Sequence, residues 1–248
     1  MTRGRLISGG LGLLLMTGGL VWALTGLPAF GGGHSRYGNE LAHRSVPQRA
    51  GTNSVVVTAF DYRAFDTLGE EFILFISVVG VTVLLRAIRP DVKERPEQAM
   101  GDERRVSELS RWLGVAIVGP LTVLAAYVVT HGQLTPGGGF QGGVILMAAV
   151  AFVFLGGEYL LLLRLRRSAS LLELADAAGA AGFAIIGFGG LIATGVFFEN
   201  FLPKGTVGSV LSGGTMPLAN VAVGLEVAGA LLMVLSELLD QRLLRSRP

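Results

Sequence analysis

A carboxylate surrounded by aliphatic residues is the first position in this chain that invites chemistry. Glu226 lies among Val221, Val223, Leu225, Val227 and Leu231. Holding a charge at such a depth costs about 2.5–3.5 kcal/mol on insertion scales, so the group is protonated, paired or facing water. Glu158 is a second acid in an apolar run, six residues before Arg164 and so within reach of an interface or of that arginine. Asp66 and Glu70 stand at the start of the run Leu68–Ile88, and His131 follows the run Leu113–Thr130. Carboxylates and an imidazole at these places can hand on protons or hold a cation in transit. Blander roles stand beside these. Thr67 and Glu70 have the spacing of a capping box, and Asp66 and Glu71 suit the positive end of a helix dipole. Glu173 and Asp176 stand at another helix start, where they complement its dipole, and Glu237 is placed at an interface. His131 can simply donate a hydrogen bond.

The segment His131–Gly143, HGQLTPGGGFQGG, packs six glycines, a proline, a histidine and two glutamines into thirteen positions. Two readings stay open. Gly139 and Gly143 form a small-xxx-small contact for a neighbouring helix. Alternatively, Pro136 with Gly137, Gly138, Gly139 and Gly142 breaks the helix and leaves carbonyls facing water or an ion. The formal G-x-G-x-x-G over Gly137–Gly142 is rejected as a dinucleotide fingerprint, because neither a preceding strand nor a soluble βαβ unit surrounds it.

The elements that must hold these residues are membrane spans. Of 248 residues 51% are apolar and only 15% charged, with mean hydropathy +0.60. A soluble domain carries about 25% charge. Six apolar runs have roughly the length that crosses a bilayer: Leu6–Leu27, Leu68–Ile88, Leu113–Thr130, Phe140–Leu163, Leu174–Phe197 and Pro217–Leu239. The expectation is an all-α polytopic membrane protein of about six helices, arranged two plus four. Residues 1–90 form a two-span module, 91–111 a charged linker and 112–248 a four-span domain. The first run is read as a retained anchor, since its apolar stretch exceeds that of a signal peptide. In the outer loop, Val55-Val56-Val57-Thr58 is β-branched and reads as extended. The glycines of the fifth run suit a thin, tightly packed helix.

Charge sets the orientation. All but five of the 20 Lys and Arg residues fall on one side; the five are Arg36, Arg44, Arg49, Arg63 and Lys204. The positive-inside rule makes the rich side cytoplasmic, with both termini inside the cell membrane. The net charge of +2 therefore reports topology, and no basic patch interleaved with aromatics suggests nucleic acid. The chain has no cysteine, and it shows no nucleotide site, nucleophile–base pair or metal-ligand cluster. An ATP-driven pump or membrane enzyme is disfavoured, no cofactor is expected, and a place in a larger assembly is favoured.

Two motifs carry a family resemblance. His131-Gly132 with Thr135–Gly143 resembles the H-x-x-x-P-G-G-G-F-x-G-G segment of the MnhB/MrpB component of Mrp/Mnh-type multisubunit Na⁺/H⁺ antiporters. The four spans Leu113–Leu239, with Pro217 opening the last, resemble that component's layout. Separately, Phe60–Glu70 resembles the D-x-R-x-F-D-T-x-G-E stretch that ends the large MnhA/MrpA component, found also in small MbhE-like components of membrane-bound hydrogenases. The chain looks like a fusion of these two parts. The resemblance implies a hetero-oligomeric complex exchanging Na⁺ for H⁺ under the proton gradient, with the other antiporter subunits as partners and Na⁺ and H⁺ as cargo. It places Pro136 and Phe140 in the glycine hairpin, Pro217 at the last helix, and Asp66 and Glu70 near a proposed ion path. Where MnhB/MrpB proteins often carry an acid after the last-span proline, this chain has Asn220. Three roles are expected to compete: an ion-conducting subunit, a purely structural subunit, and a proton-channel subunit of a hydrogenase or complex I-like redox complex.

Overall fold

In lipid every backbone N–H and C=O must find its partner within the chain, and helices do this segment by segment. The computed structural model describes residues 3–27, 36–88, 107–155 and 169–245. Among the described residues every regular element is helical: α1 Arg3–Thr25, α2 Arg36–Arg49, α3 Ser54–Val57, α4 Ala64–Ile88, α5 Glu108–Ala116, α6 Val118–Thr130, α7 Gly139–Leu155, α8 Ala169–Thr194 and α9 Met216–Arg245. A π-helical turn, Thr58–Tyr62, continues α3. Five segments are long and apolar enough to cross a membrane: Ile7–Thr25, Ala64–Arg86, Glu108–Thr130, Ala169–Thr194 and Met216–Leu239. The shorter apolar stretch Gly139–Phe154 accompanies them, and the rest of the expected span to Leu163 lies outside the described residues. The protein is an all-α polytopic membrane protein.

The third span is two helices rather than one rod. Pro120 has no N–H to offer and its ring crowds the carbonyl four residues earlier, at Ala116. The ladder breaks there, and α6 restarts at Val118 with the proline in its first turn, where the missing donor costs nothing. The fifth span begins earlier than expected, at Ala169, and stops at Thr194 rather than Phe197. Gly195, at φ +82°, supplies the left-handed residue that ends a helix.

The chain divides into two compact units, Met1–Leu41 and Ala42–Pro248. In the first, α1 carries apolar side chains round its whole circumference, among them Leu11, Leu13, Leu14 and Met16. That pattern belongs to a helix surrounded by lipid.

In the second unit α9 is the hub and packs against α8, α7, α4 and α6. Its span is 61% buried, against 17% for α4. One core joins Val56, Val57, Phe60 and Ala64 to Phe183, Phe198, Met216, Val223 and Val227. Phe60 meets Phe183 edge-on, ring centroids 5.8 Å apart. The residues on either side of the charged linker therefore share one interior. Residues 107–111 of that linker open α5, and most of its remainder lies outside the described residues.

Two local expectations are corrected. Val55–Thr58 is helical, because the side-chain oxygen Oδ1 of Asn53 accepts from the N–H groups of Val55 and Val56 and so starts a helix. Burial of Val56 and Val57 in the core then outweighs β-branched propensity. Thr67 is no N-cap either. It sits in the second turn of α4, which begins at Ala64, and its hydroxyl donates to the Ala59 carbonyl at 2.7 Å. Asp66 remains in the first turn, where the helix dipole favours it.

Candidate functional site

Thr67, Glu71, Val78 and Thr82 are all buried, and their spacing of four, seven and four residues places them on one face of α4. Asp66 and Glu70 fall outside that face and are exposed. Asp66 there forms an ion pair with Arg63. The acid that turns inward is Glu71, 1% exposed. It meets Glu226 of α9, which is fully buried, so that each carboxyl lies in the other's immediate field. Asp176 of α8, 1% exposed, is the next acid to act on both.

Small residues make the approach possible. A Cβ on Gly179 of α8 would come within 2.5 Å of the Glu226 backbone nitrogen, and one on Gly229 of α9 within 2.8 Å of the Asp176 nitrogen. The helices therefore touch backbone to backbone and seal the acids between them. Among the described residues no N–H or hydroxyl donor reaches a carboxyl oxygen of Glu71 or Glu226, whose polar contact is with each other, and one oxygen of Asp176 is likewise without a donor. Buried carboxyl charge without a basic partner must be balanced by a proton or a small cation. Among the described residues no three metal-binding side chains converge. The arrangement suits a transfer point, where an ion is held briefly, better than a closed metal site.

The glycine hairpin has a different task. Pro136 is exposed at its tip, and Gly137 and Gly138 have φ of +136° and +145°. Gly139 opens α7, and its N–H donates to Oδ1 of Asn220 at 2.9 Å. A Cβ on Gly139 would lie 2.5 Å from the Asn220 carbonyl oxygen, and one on Gly143 2.7 Å from Cβ of Val227. Gly142 abuts Val129 and Ala125 of α6 instead, and Phe140 packs on the shared core. Pro217 stands in the first turn of α9, where its missing N–H costs nothing. Asn220 is thus a cap that fixes α7 to α9.

The carbonyls released by the break are taken up within the chain. Asn53 Nδ2 donates to the oxygens of Gly132 at 2.7 Å, Thr135 at 2.8 Å and Gly137 at 3.4 Å. The Asn53 N–H donates to Gln133 O at 3.1 Å. One side chain thus starts α3 and holds the hairpin. Asn53→Ala is expected to lower stability by about 2–3 kcal/mol, a lost cap plus lost buried hydrogen bonds. Thermal unfolding in detergent checks this, and a midpoint within a degree of wild type contradicts it.

His131 ends α6. Its ring stacks on Tyr127, centroids 4.2 Å apart, and Nδ1 lies 3.0 Å from the Thr130 hydroxyl and 3.1 Å from the Tyr127 carbonyl. Nothing in this geometry brings His131 to the acid pair. Glu158 lies outside the described residues.

Outside the spans, Asp61 sits in the π-helical turn. It pairs with Arg49 at 2.8 Å and accepts from Asn200 Nδ2 at 2.6 Å. Burial nevertheless raises its carboxyl above the usual 3.8, outweighing the Asn200 hydrogen bond and the Arg49 charge. A raised folded value means the fold binds a proton that the unfolded chain has already lost. That contribution is complete below the usual carboxylate value and fades as pH climbs through the raised one. Asp61→Asn is expected to flatten the fall in melting temperature across that window. An unchanged slope in a pH series contradicts the assignment.

Sequence alone points to Glu226, Asp66 and Glu70, and the three do not gather. It assigns Glu71, Asp176 and Glu173 to helix dipoles, although Glu71 and Asp176 are each 1% exposed. The available signal is the period of Thr67, Glu71, Val78 and Thr82, which places a polar stripe on the same face as Val78.

Residues 109–233 match the family described as a domain related to the MnhB subunit of Na⁺/H⁺ antiporter. Residues 31–100 match the MbhE family, described as the E subunit of MBH. The uncharacterized protein MJ1307 of Methanocaldococcus jannaschii is 28% identical over 216 residues, 77% of this chain and 76% of that one. A probable K⁺/H⁺ antiporter A/B subunit of Rhizobium meliloti is 33% identical over 138 residues, 46% of this chain but only 13% of the relative. Among solved structures, a chain of the membrane-bound sulfane sulfur reductase, an archaeal respiratory membrane complex, shares the fold. Its TM-score is 0.67 at 23% identity, covering 95% of this chain and 98% of that one. A chain of the Mrp complex from Dietzia gives TM-score 0.65 at 25% identity, covering 96% of this chain and 26% of that one. The hairpin, the proline-led last helix and the family match over half its length identify this chain as a member of the family related to the MnhB subunit of Na⁺/H⁺ antiporters.

Proposed function

We propose that this chain is a non-enzymatic membrane subunit of a multisubunit cation/proton antiporter in the cell membrane. It supports Na⁺/H⁺ exchange driven by the proton gradient, beside other antiporter subunits. Its own part is to carry a proton between Glu71 and Glu226. The observation behind this is the pair itself: two inward carboxyls on separate helices, sealed by glycine contacts and facing each other without a basic partner. Asp66, Glu70 and His131 are assigned to approaches, and the hairpin to assembly. On this reading, which the charge asymmetry supports, the C-terminal end of α4 faces the cytoplasm.

The test is complementation. Vesicles from cells lacking this chain are expected to lose Na⁺-dependent proton exchange and to regain it when the chain is restored. Full exchange by the remaining subunits contradicts the proposal, as does antiport by this chain alone in liposomes. The match of residues 31–100 to the MbhE family favours one second reading, a proton-channel subunit of a membrane-bound redox complex. Co-purification in mild detergent separates the two. Large antiporter subunits support the first reading, and redox subunits support the second.

A further inference from the structure

The acid pair lies between two apolar layers. Towards the C-terminal end of α4, Val78 with Ala230 and Met233 of α9 closes over it, and Leu74, Leu172 and Val234 pack alongside. Every one of these side chains is carried by a long helix. Towards the other end the next layer is Phe183, one turn beyond Gly179 on α8, with Val223, one turn from Glu226 on α9. Phe198 completes that layer, its ring centroid 5.1 Å from that of Phe183, and it comes from a loop.

That loop turns back into the bundle. The Phe198 N–H donates to the Gly187 carbonyl at 3.2 Å, about 10 Å of helix before α8 ends at Thr194. A Cβ on Gly187 would lie 2.9 Å from the Phe198 ring, and one on Gly190 2.7 Å from the Glu199 carbonyl oxygen. Non-helical backbone at such depth is tolerated where protein buries it or where it lines water. Phe198 holds φ at +62°, a left-handed conformation that a residue with a side chain keeps only when its surroundings impose it. Asn200 imposes it. Its Nδ2 donates to Asp61 at 2.6 Å and to the Gly213 carbonyl at 2.9 Å, and its Oδ1 accepts from the Thr215 N–H at 3.0 Å. Thr215 stands just before α9, and Glu226 lies about 15 Å of helix further on. Beyond Phe198 the polar groups lead to the surface. Arg49 pairs with Asp61 at 2.8 Å and with Glu199 at 3.5 Å, and the Glu199 side chain is 39% exposed.

We propose that Phe198 is the gate between this surface-connected cluster and the acid pair, and that Arg49, Asp61 and Asn200 form its latch. The inference rests on the proton-carrying role of Glu71 and Glu226, since carriers sealed on both sides exchange protons with water only when one layer opens. When the latch lets go, the loop backbone leaves its left-handed conformation and the ring withdraws from Phe183. Water then reaches Glu226 from the end where α9 begins. The helix-borne layer at Val78 and Met233 stays closed, so opening at one end creates no continuous pore.

The test uses the whole complex in liposomes, with thiol labelling read on this chain, which has no cysteine of its own. Val223→Cys puts a buried thiol at the inner edge of the gate, and Met233→Cys puts one in the opposite layer. Phe198→Gly removes the ring and suits the positive φ. It is expected to speed labelling at Val223→Cys by a small charged methanethiosulfonate at least about tenfold, as the locally open state gains population. Asn200→Asp keeps the ring and sets a second carboxyl against Asp61, and it is expected to act in the same direction. Labelling at Met233→Cys keeps its own rate in both. Unchanged labelling at Val223→Cys in the assembled Phe198→Gly and Asn200→Asp complexes overturns the gate. Equal acceleration at Met233→Cys overturns it too, since the whole bundle has then loosened. If Glu226→Gln still stops proton flux, read by an internal pH dye, the carboxyl pair stands without the gate. Proton flux untouched by Glu226→Gln overturns the underlying reading and, with it, the role of the gate.

Discussion

Replacing Glu226 by Gln is expected to lower cation-dependent proton exchange at least about 100-fold, the scale on which a positioned proton carrier acts. Glutamine keeps the shape and polarity of the side chain, so helix contacts at Gly179 persist and the complex still assembles. What disappears is the exchangeable proton. Glu71→Gln is expected to act in the same direction, and the double variant to lose little more than either single one, because a relay cut once carries nothing. Asp66→Asn and Glu70→Gln, on the exposed face of α4, are expected to change the rate far less. The measurement is the initial rate of Na⁺-induced pH change in vesicles, normalised to assembled complex. Wild-type rates in both Glu71→Gln and Glu226→Gln leave the pair as a packing feature, whereas loss confined to Asp66→Asn and Glu70→Gln moves the path to the other face.

The second large effect lies in the hairpin. Gly139→Leu introduces a branched side chain where even a Cβ would lie 2.5 Å from a backbone oxygen of α9 and 2.7 Å from Cβ of Val223. Neither neighbour can yield without moving α7 off α9. Such overpacking costs about 3 kcal/mol, and more where backbone blocks the way. Gly143→Leu meets Val227 and the Ala228 nitrogen one turn further on. Both variants are expected to lower thermal stability sharply and to reduce recovery of intact complex, with transport falling in proportion to assembly. Gly119→Leu, where a Cβ would meet nothing within 4 Å, is the matched control. Recovery of Gly139→Leu at the control's level contradicts the packing role. Transport lost in fully assembled Gly139→Leu assigns the hairpin to conduction instead.

Much of the fold is legible because lipid imposes a strong local rule. A run of about 20 apolar residues spans as a helix, and clustered arginines give its direction. Helix ends are less legible. The second span begins at Ala64 rather than Leu68, because Asn53 starts a helix whose π-helical continuation leads directly into α4. Extended structure at Val55–Thr58 fails for the same reason. The Asn53 amide, which also reaches carbonyls 79–84 residues away, outweighs local propensity.

The candidate site is legible by residue type and not by partner. Glu226 stands out because an acid deep in an apolar run is costly wherever it points. Glu71, Asp176 and Glu173 do not, because an acid near a helix start has an ordinary explanation in the dipole.

Residue order alone determined an all-helical membrane chain, the break at His131–Gly143 and the presence of buried acids, since each follows from hydropathy and backbone chemistry within one segment. Tertiary packing decided that Glu71 rather than Glu70 faces Glu226, that Asn53 and Asn220 hold the hairpin, and that Arg86 joins Glu173 to Glu237. Those outcomes depend on how each helix is rotated about its axis. A rotation of about 100° per residue separates neighbours in sequence onto different faces, and only contact with other helices chooses which face turns inward.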